Sequence, residues 1–294
     1  MLQYSLLVQL IALSFLSAAA INDIKKREVP NWVNYGLVMT GLGLGSLHSI
    51  VAADWRFFIF SLAGALAALA LSALMFYTGQ WGGGDSKLLI GVGALLGLPV
   101  TTKLPFLNAE SQAVSFLLNL IAVSVAYAIG IGAVLAVKNK KRFAAALKKQ
   151  MKSYSVMRRL LFLVFAVGLV LIVAVNDVTM RFAFASLFAT LSFGLYLSIM
   201  AKAVERACML KLVSPLKLTE GDWVAKDVVV GGKRIAGPKD LGIEKRQIRQ
   251  LVALYRQKKL RVVLIKEGIP FSPSFLIAYI VTILFGNIFV ALVR

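Results

Sequence analysis

Cysteine and histidine are almost missing: Cys208 and His48 are the only ones in 294 residues. A disulfide needs a pair of cysteines, and a Cys-based zinc site needs several at short spacing, so both are excluded. A single histidine also excludes a cluster of imidazole ligands. His48 falls near the outer end of an apolar run, where it reads either as an interfacial residue or as a lone base. Charge is scarce as well, at 16% of residues against about 25% in a soluble domain. The acidic side is the poorer, with 13 Asp and Glu against 33 Lys and Arg. The glycine-rich stretch 79–86 is not a phosphate-binding loop, because Lys87 follows Ser86 rather than a glycine. No metal and no cofactor is expected. An enzyme made from this chain has to work with carboxylates, lysine, tyrosine or serine.

What the chain does have is apolar sequence, 59% of residues, in repeated runs of about 20, long enough to cross a bilayer. No Lys or Arg precedes Lys25, and the basic cluster follows the first run rather than leading it. That run therefore reads as a retained transmembrane helix and not as a cleavable signal. Eight spans are expected, at 3–20, 33–50, 57–78, 86–100, 113–137, 160–176, 182–201 and 273–292. The fourth is short and glycine-rich, and reads either as a full crossing or as a tucked helix. With the first loop placed in the cytoplasm, 29 of the 33 basic residues fall on the cytoplasmic side, leaving Arg56, Lys103, Arg181 and Arg294 outside. Discounting the long loop 202–272, the division is still 13 to 4. This asymmetry predicts a multi-pass protein of the cytoplasmic membrane with its N-terminus outside. It also accounts for the net charge of +20 without a nucleic-acid partner.

The chain divides into a membrane core of five spans (1–137), a basic cytoplasmic loop (138–159), two further spans (160–201), a cytoplasmic module (202–272) and a C-terminal span (273–294). In the basic loop Phe143, Leu147 and Met151 recur every four residues. The loop reads either as an interfacial helix on anionic lipid or as an ordinary positive-inside loop. In the module, Val228–Val230 and 233–235 flank Gly231 and Gly232 as a hairpin would. A helix is expected over 244–257, with Ile248, Leu251 and Leu254 or Tyr255 as its apolar stripe, and a strand over 261–266. So small a module rarely supplies a large core alone, and it is expected to lean on the membrane part. The fold class is an all-α polytopic membrane protein of about eight transmembrane helices with a small cytoplasmic α+β module.

Outside the module the carboxylates are Asp23, Glu28, Asp54, Asp85, Glu110 and Asp177. Asp54, Glu110 and Asp177 fall in outer loops and read as solvated residues or helix caps. Asp23 and Asp85 each sit at the cytoplasmic end of a span, at one membrane face. Two carboxylates at one depth can converge on one water and share a proton, because like charges held close do not both ionise easily. One then acts as base and the other as acid, a pairing suited to peptide hydrolysis. Taken singly, Asp85 reads equally as a helix N-cap or first-turn residue, and Asp23 as one more interfacial charge. Gly82, Gly83 and Gly84 remove side chains just before Asp85, which lets a substrate backbone approach. Pro30 fixes the chain after Asp23, and Asn31 is placed to cap the second helix. Trp81 reads as an interfacial anchor or as a substrate contact. Gly41, Gly43, Gly45, Gly91 and Gly93 read as close helix packing.

Asp23, five residues, then Val29-Pro30-Asn31 resembles the D-x5-[IV]-P-N signature of type IV prepilin peptidases and archaeal preflagellin peptidases. Gly82-Gly83-Gly84-Asp85, with Lys87 two residues on, resembles their GxGD motif. The motifs stand in the family's order about 60 residues apart, and the resemblance covers roughly residues 1–137. It implies an aspartyl peptidase with Asp23 and Asp85 catalytic. Its substrates would be pilin-like or archaellin-like precursors, cut at a short basic leader on the cytoplasmic membrane face. Bacterial bifunctional members carry paired CxxC motifs and also methylate the new N-terminus; Cys208 alone cannot supply these, so no methyltransferase is expected. The segment 202–272 and the span after it resemble the C-terminal extension of some archaeal relatives. Glu28 is placed to attract the basic leader.

Two other readings remain. Presenilin-like and signal-peptide-peptidase-like proteases also use GxGD, but pair it with Tyr-Asp inside a helix and a downstream Pro-Ala-Leu. Here Asn22 precedes Asp23 and no Pro-Ala-Leu follows. A transporter or channel wants ionisable groups in mid-span, and the middles of the eight expected spans have none.

Overall fold

A computed structural model describes residues 2–99 and 111–292. Lys103, Glu110 and Arg294 lie outside the described residues. The chain runs α1 (Leu2–Lys26), α2 (Asn31–Ala52), α3 (Arg56–Tyr77), α4 (Gly83–Leu96), α5 (Gln112–Lys138), α6 (Lys140–Ser153), α7 (Ser155–Ala174) and α8 (Val178–Val204). It continues through β1 (Leu210–Val213), β2 (Trp223–Val224), β3 (Val228–Val230), β4 (Lys233–Ala236), α9 (Lys245–Arg256), β5 (Val263–Lys266), α10 (Ser272–Phe285) and α11 (Ile288–Ala291). Two compact units form, one from 1–129 with 268–294 and the other from 130–267.

Among the described residues five helices are long and apolar enough to cross a membrane, and six if α6 and α7, bent by 63° at their junction, count as one span. The best apolar windows of α5 and α8 are only 6% and 11% buried. Surface so apolar and so uncovered suits lipid rather than water. This is a helical membrane protein, with fewer full-length spans than the eight expected. The expected fourth and eighth spans correspond to α4 and α10, each of 14 residues. At 1.5 Å per residue each is about 21 Å long, short of a hydrocarbon core of about 30 Å. The eighth is also interrupted, because Gly286 at φ +65 ends α10 before Asn287 caps α11.

The first unit packs around α4. Leu88, Leu89, Val92 and Leu95 join Leu16 of α1, Val33 and Leu37 of α2, Phe116 and Leu120 of α5, and Phe275 and Tyr279 of α10 in one buried cluster. Glycines set how closely the helices approach. A Cβ on Gly41 would lie 2.6 Å from the α4 backbone, and one on Gly91 would lie 2.9 Å from the Leu37 side chain. One on Gly93 would lie 2.5 Å from the Gly64 carbonyl oxygen of α3. Without burial of water-exposed surface to drive them together, helices in lipid gain from close backbone contact, which small residues permit. Gly43 departs from the packing expectation, since a Cβ there would meet nothing within 4 Å.

In the second unit β5 pairs antiparallel with β1 and β2, and β3 pairs with β4 across Gly231 and Gly232. The hairpin, the later strand and α9 match expectation. Glu244 and Gln247 form a reciprocal capping box at the start of α9, satisfying two otherwise unpaired N–H groups. Leu251 is fully buried and Ile248 packs on the same small core. The sequence reading misses β1 and β2. α6 keeps Phe143, Leu147 and Met151 on its less exposed side and turns Arg142, Lys148, Lys149 and Lys152 outward. Asp177 caps α8, accepting from Met180 N–H at 2.8 Å.

The glycine contacts make a stability prediction. Gly93→Ala must push α4 off α3 and is expected to cost about 1–3 kcal/mol. Gly43→Ala, in open space, should leave stability unchanged or slightly raised. Thermal unfolding of the two variants in detergent checks this.

Candidate active site

α1 ends because Arg27 takes a left-handed conformation, φ 60, and its N–H donates to the Asp23 carbonyl oxygen at 2.9 Å. Such a residue closes a helix by satisfying one of its last carbonyls. Asp23 lies in that last turn, with only 7% of its surface exposed. The chain then passes through Glu28 and Val29 to Pro30, which occupies the N-cap of α2 at φ −60 and ψ 139. The second acidic position is built differently. After α3, Gly82 in an extended conformation caps α4, and Asp85 falls in its first turn, where the helix dipole favours negative charge.

These two helix ends meet at α10. The backbone N–H of Ser272 donates to Asp23 Oδ2 at 2.9 Å, and its hydroxyl donates to Asp85 Oδ1 at 3.2 Å. Ser272 is fully buried, whereas Asp85 keeps some accessible surface. Asp85 stands ahead of the fourth expected span and outside the five full-length helices. Burial first, and the Asp23 carboxylate second, push its carboxyl up to about 7, while the Ser272 hydroxyl opposes the shift by favouring the ionised form. The three glycines divide the surroundings. A Cβ on Gly84 would press on Val29 at 3.2 Å, so this glycine brings the two motifs together. A Cβ on Gly82 would come into ordinary contact with Asp85 Oδ2, at 3.6 Å, so this glycine keeps a side chain off that oxygen.

Residues 10–137 match the type IV leader peptidase family. Over this segment the chain is similar to that family. Preflagellin peptidases of Methanococcus voltae and Methanocaldococcus jannaschii are 37% and 36% identical to this chain over 86 and 89 residues. One from Methanococcus maripaludis is 34% identical over 89 residues. Each match covers 29% of this chain and 36–38% of the relative, so the chain spans little more than a third of the length of the curated relatives it matches. No solved structure matches the chain.

Within residues 10–137, Asn31 does not cap α2 as expected. Pro30 holds the cap, its carbonyl accepting from the Val33 N–H at 3.0 Å. The Asn31 side chain instead accepts from Lys87 Nζ at 3.1 Å, and that ammonium also lies 5.7 Å from the Tyr35 ring centre. Lys87 thus ties the second motif to the first. Trp81 packs on the Phe271 and Phe275 rings at 5.6 and 5.9 Å between centroids. Glu28 is exposed. Asp54 binds Arg56 at 2.9 Å and His48 stacks on Phe57 at 3.9 Å, so neither joins the Asp23–Asp85 pair.

Sequence reasoning misses Ser272. Ser-Pro before an apolar run signals a helix start, but nothing local says what the serine touches.

The Asn31–Lys87 bond predicts a coupling. In a double-mutant cycle on thermal stability, Asn31→Ala and Lys87→Ala should be non-additive by about 0.5–1.5 kcal/mol. Additive losses would mean that the two motifs are not joined through this pair.

Proposed function

We propose that the protein is a membrane aspartyl endopeptidase that removes short basic leader peptides from preflagellin-like or prepilin-like precursors. The observation that carries the reading is the convergence on one serine of Asp23 and Asp85, both of which lie in the segment similar to the leader-peptidase family. The name preflagellin peptidase, borne by the relatives, supports the substrate class. Asp85 holds the shared proton near neutral pH and Asp23 acts as base. Asp23 takes a proton from water as the water oxygen attacks the scissile carbonyl carbon. Asp85 donates its proton to the carbonyl oxygen. As the tetrahedral intermediate collapses, Asp23 passes its proton to the leaving nitrogen, one hydroxyl proton returns to Asp85, and the C–N bond breaks. Oδ2 of Asp85, beside Gly82, is the oxygen that faces the substrate.

The excess of Lys and Arg in the expected cytoplasmic loops supports a site at the cytoplasmic membrane face and an outside N-terminus. An apolar precursor helix lying in the bilayer would then present its leader boundary at the depth of the two aspartates, with exposed Glu28 toward the basic leader. The outward lysines of α6 suit anionic lipid. Segment 202–272 is the cytoplasmic module of this enzyme, and methylation of the product is not among its activities.

Co-expression with a tagged precursor bearing a basic leader tests the reading by its size shift. Wild type should shorten the precursor. Asp23→Asn and Asp85→Asn, at equal membrane levels, should each slow cleavage by at least about 10²-fold. Near-full activity in either variant would remove that residue from the mechanism.

The pH dependence has a definite sign. The carboxyl of Asp85 is raised from 3.8 to about 7, so it is protonated below that value and the acid is lost above it. Cleavage by the purified enzyme should therefore fall as pH rises through about 7. A rate that climbs through this range would assign the acid elsewhere.

A further inference from the structure

We propose that Ser272 is a positioning residue of the active centre, holding the two aspartates in register, and that α10 is therefore part of the catalytic site. This rests on the reading of Asp23 and Asp85 as the catalytic pair. The serine lies well beyond the 10–137 family match.

The start of α10 leaves few free donors. The first N–H groups of a helix have no partner within it. Ser272 is the first residue of α10 and Pro273, with no N–H, is the second. The Ser274 N–H turns back to the Phe271 carbonyl oxygen at 2.9 Å. The amide of Ser272 is thus left for Asp23, and its hydroxyl reaches Asp85. One residue supplies both donors from fixed points on its own covalent frame, so the separation of the two carboxylates follows its geometry. Its side chain is 0% exposed, so bulk water does not compete for the hydroxyl.

The segment carrying Ser272 is fastened near both motifs. Arg27, four residues after Asp23, donates to the Gly268 carbonyl oxygen. On the other side, Phe271 and Phe275 pack on Trp81, which immediately precedes Gly82. The Ser124 hydroxyl of α5 donates to the Ser274 hydroxyl at 3.2 Å. A serine anchored in this way resists the outward drift that two neighbouring carboxylates would otherwise impose on each other. Its hydroxyl also favours the ionised form of Asp85, which limits how far burial raises that group.

The test compares purified Ser272→Ala, Ser272→Cys and Ser272→Thr in cleavage of a basic-leader precursor across pH, with thermal unfolding measured alongside. Cysteine keeps the size but is a poor donor, and threonine keeps the hydroxyl. Ala and Cys should each lower kcat by about 10-fold or more with KM nearly unchanged, as expected when the reacting acid loses its alignment with the base. Both should move the alkaline limb upward by about one pH unit, because the ionised form of Asp85 loses a donor. Thr should restore both rate and limb. Wild-type kcat and an unmoved limb in Ala or Cys would overturn the proposal. So would a loss of rate that follows only a loss of thermal stability and that Thr does not rescue. Asp23→Asn and Asp85→Asn separate the two levels: if they still cleave, the catalytic pair is wrong, whereas if they are dead and Ser272→Cys is normal, only the role of Ser272 is wrong.

Discussion

Two carboxylates held against one serine, largely away from bulk water, set the terms for everything around them. Like charges this close do not both ionise easily, and removing each from water adds a further cost. The protein meets that cost with local devices. A backbone N–H faces Asp23, a hydroxyl faces Asp85, and the first turn of α4 turns its positive end toward the same group. The pair needs three helix ends at one place. α1 must stop at Lys26, α4 must start at Gly83 and α10 must start at Ser272. The left-handed Arg27, the extended Gly82 and the proline after Ser272 bring this about.

The placement of α4 is the second half of the problem. A 14-residue helix cannot span the bilayer alone, so its depth is set by its neighbours. Gly41 and Gly91 remove the side chains between α4 and α2, and Gly64 and Gly93 those between α4 and α3. The helix therefore sits in backbone contact with both, and Gly84 brings its first turn onto Val29. The same contacts that pack the core carry Asp85 to the end of α1. Stability and site geometry are inseparable here, because a change that lifts α4 also moves a carboxylate.

How much was legible in the sequence depends on the range of the signal. The membrane class follows from apolar runs, the hairpin from two glycines between valine-rich and basic strands, and α9 from its stripe. Motif and charge asymmetry together lead to helix ends for Asp23 and Asp85, but not to the serine between them. The number of full-length spans does not follow, because an apolar run of 273–292 says nothing of the break at Gly286. Asn31 misleads because it looks like a cap residue one position too late, and the preceding proline already holds the cap. Ser272 is illegible for a deeper reason. It bonds across 187 residues to Asp85 and 249 to Asp23, and no local pattern encodes a partner so distant.

The first unit is discontinuous, with 130–267 inserted between its two parts. During synthesis both aspartates are therefore made long before their shared serine. The ribosome must add 187 residues after Asp85 to reach Ser272, a delay on the order of ten seconds or more. Through that interval the acidic pair stands without its brace, and the inserted unit has time to fold first. The order of the chain thus works as a clock, in which the parts that would do chemistry come early and the part that aligns them comes last.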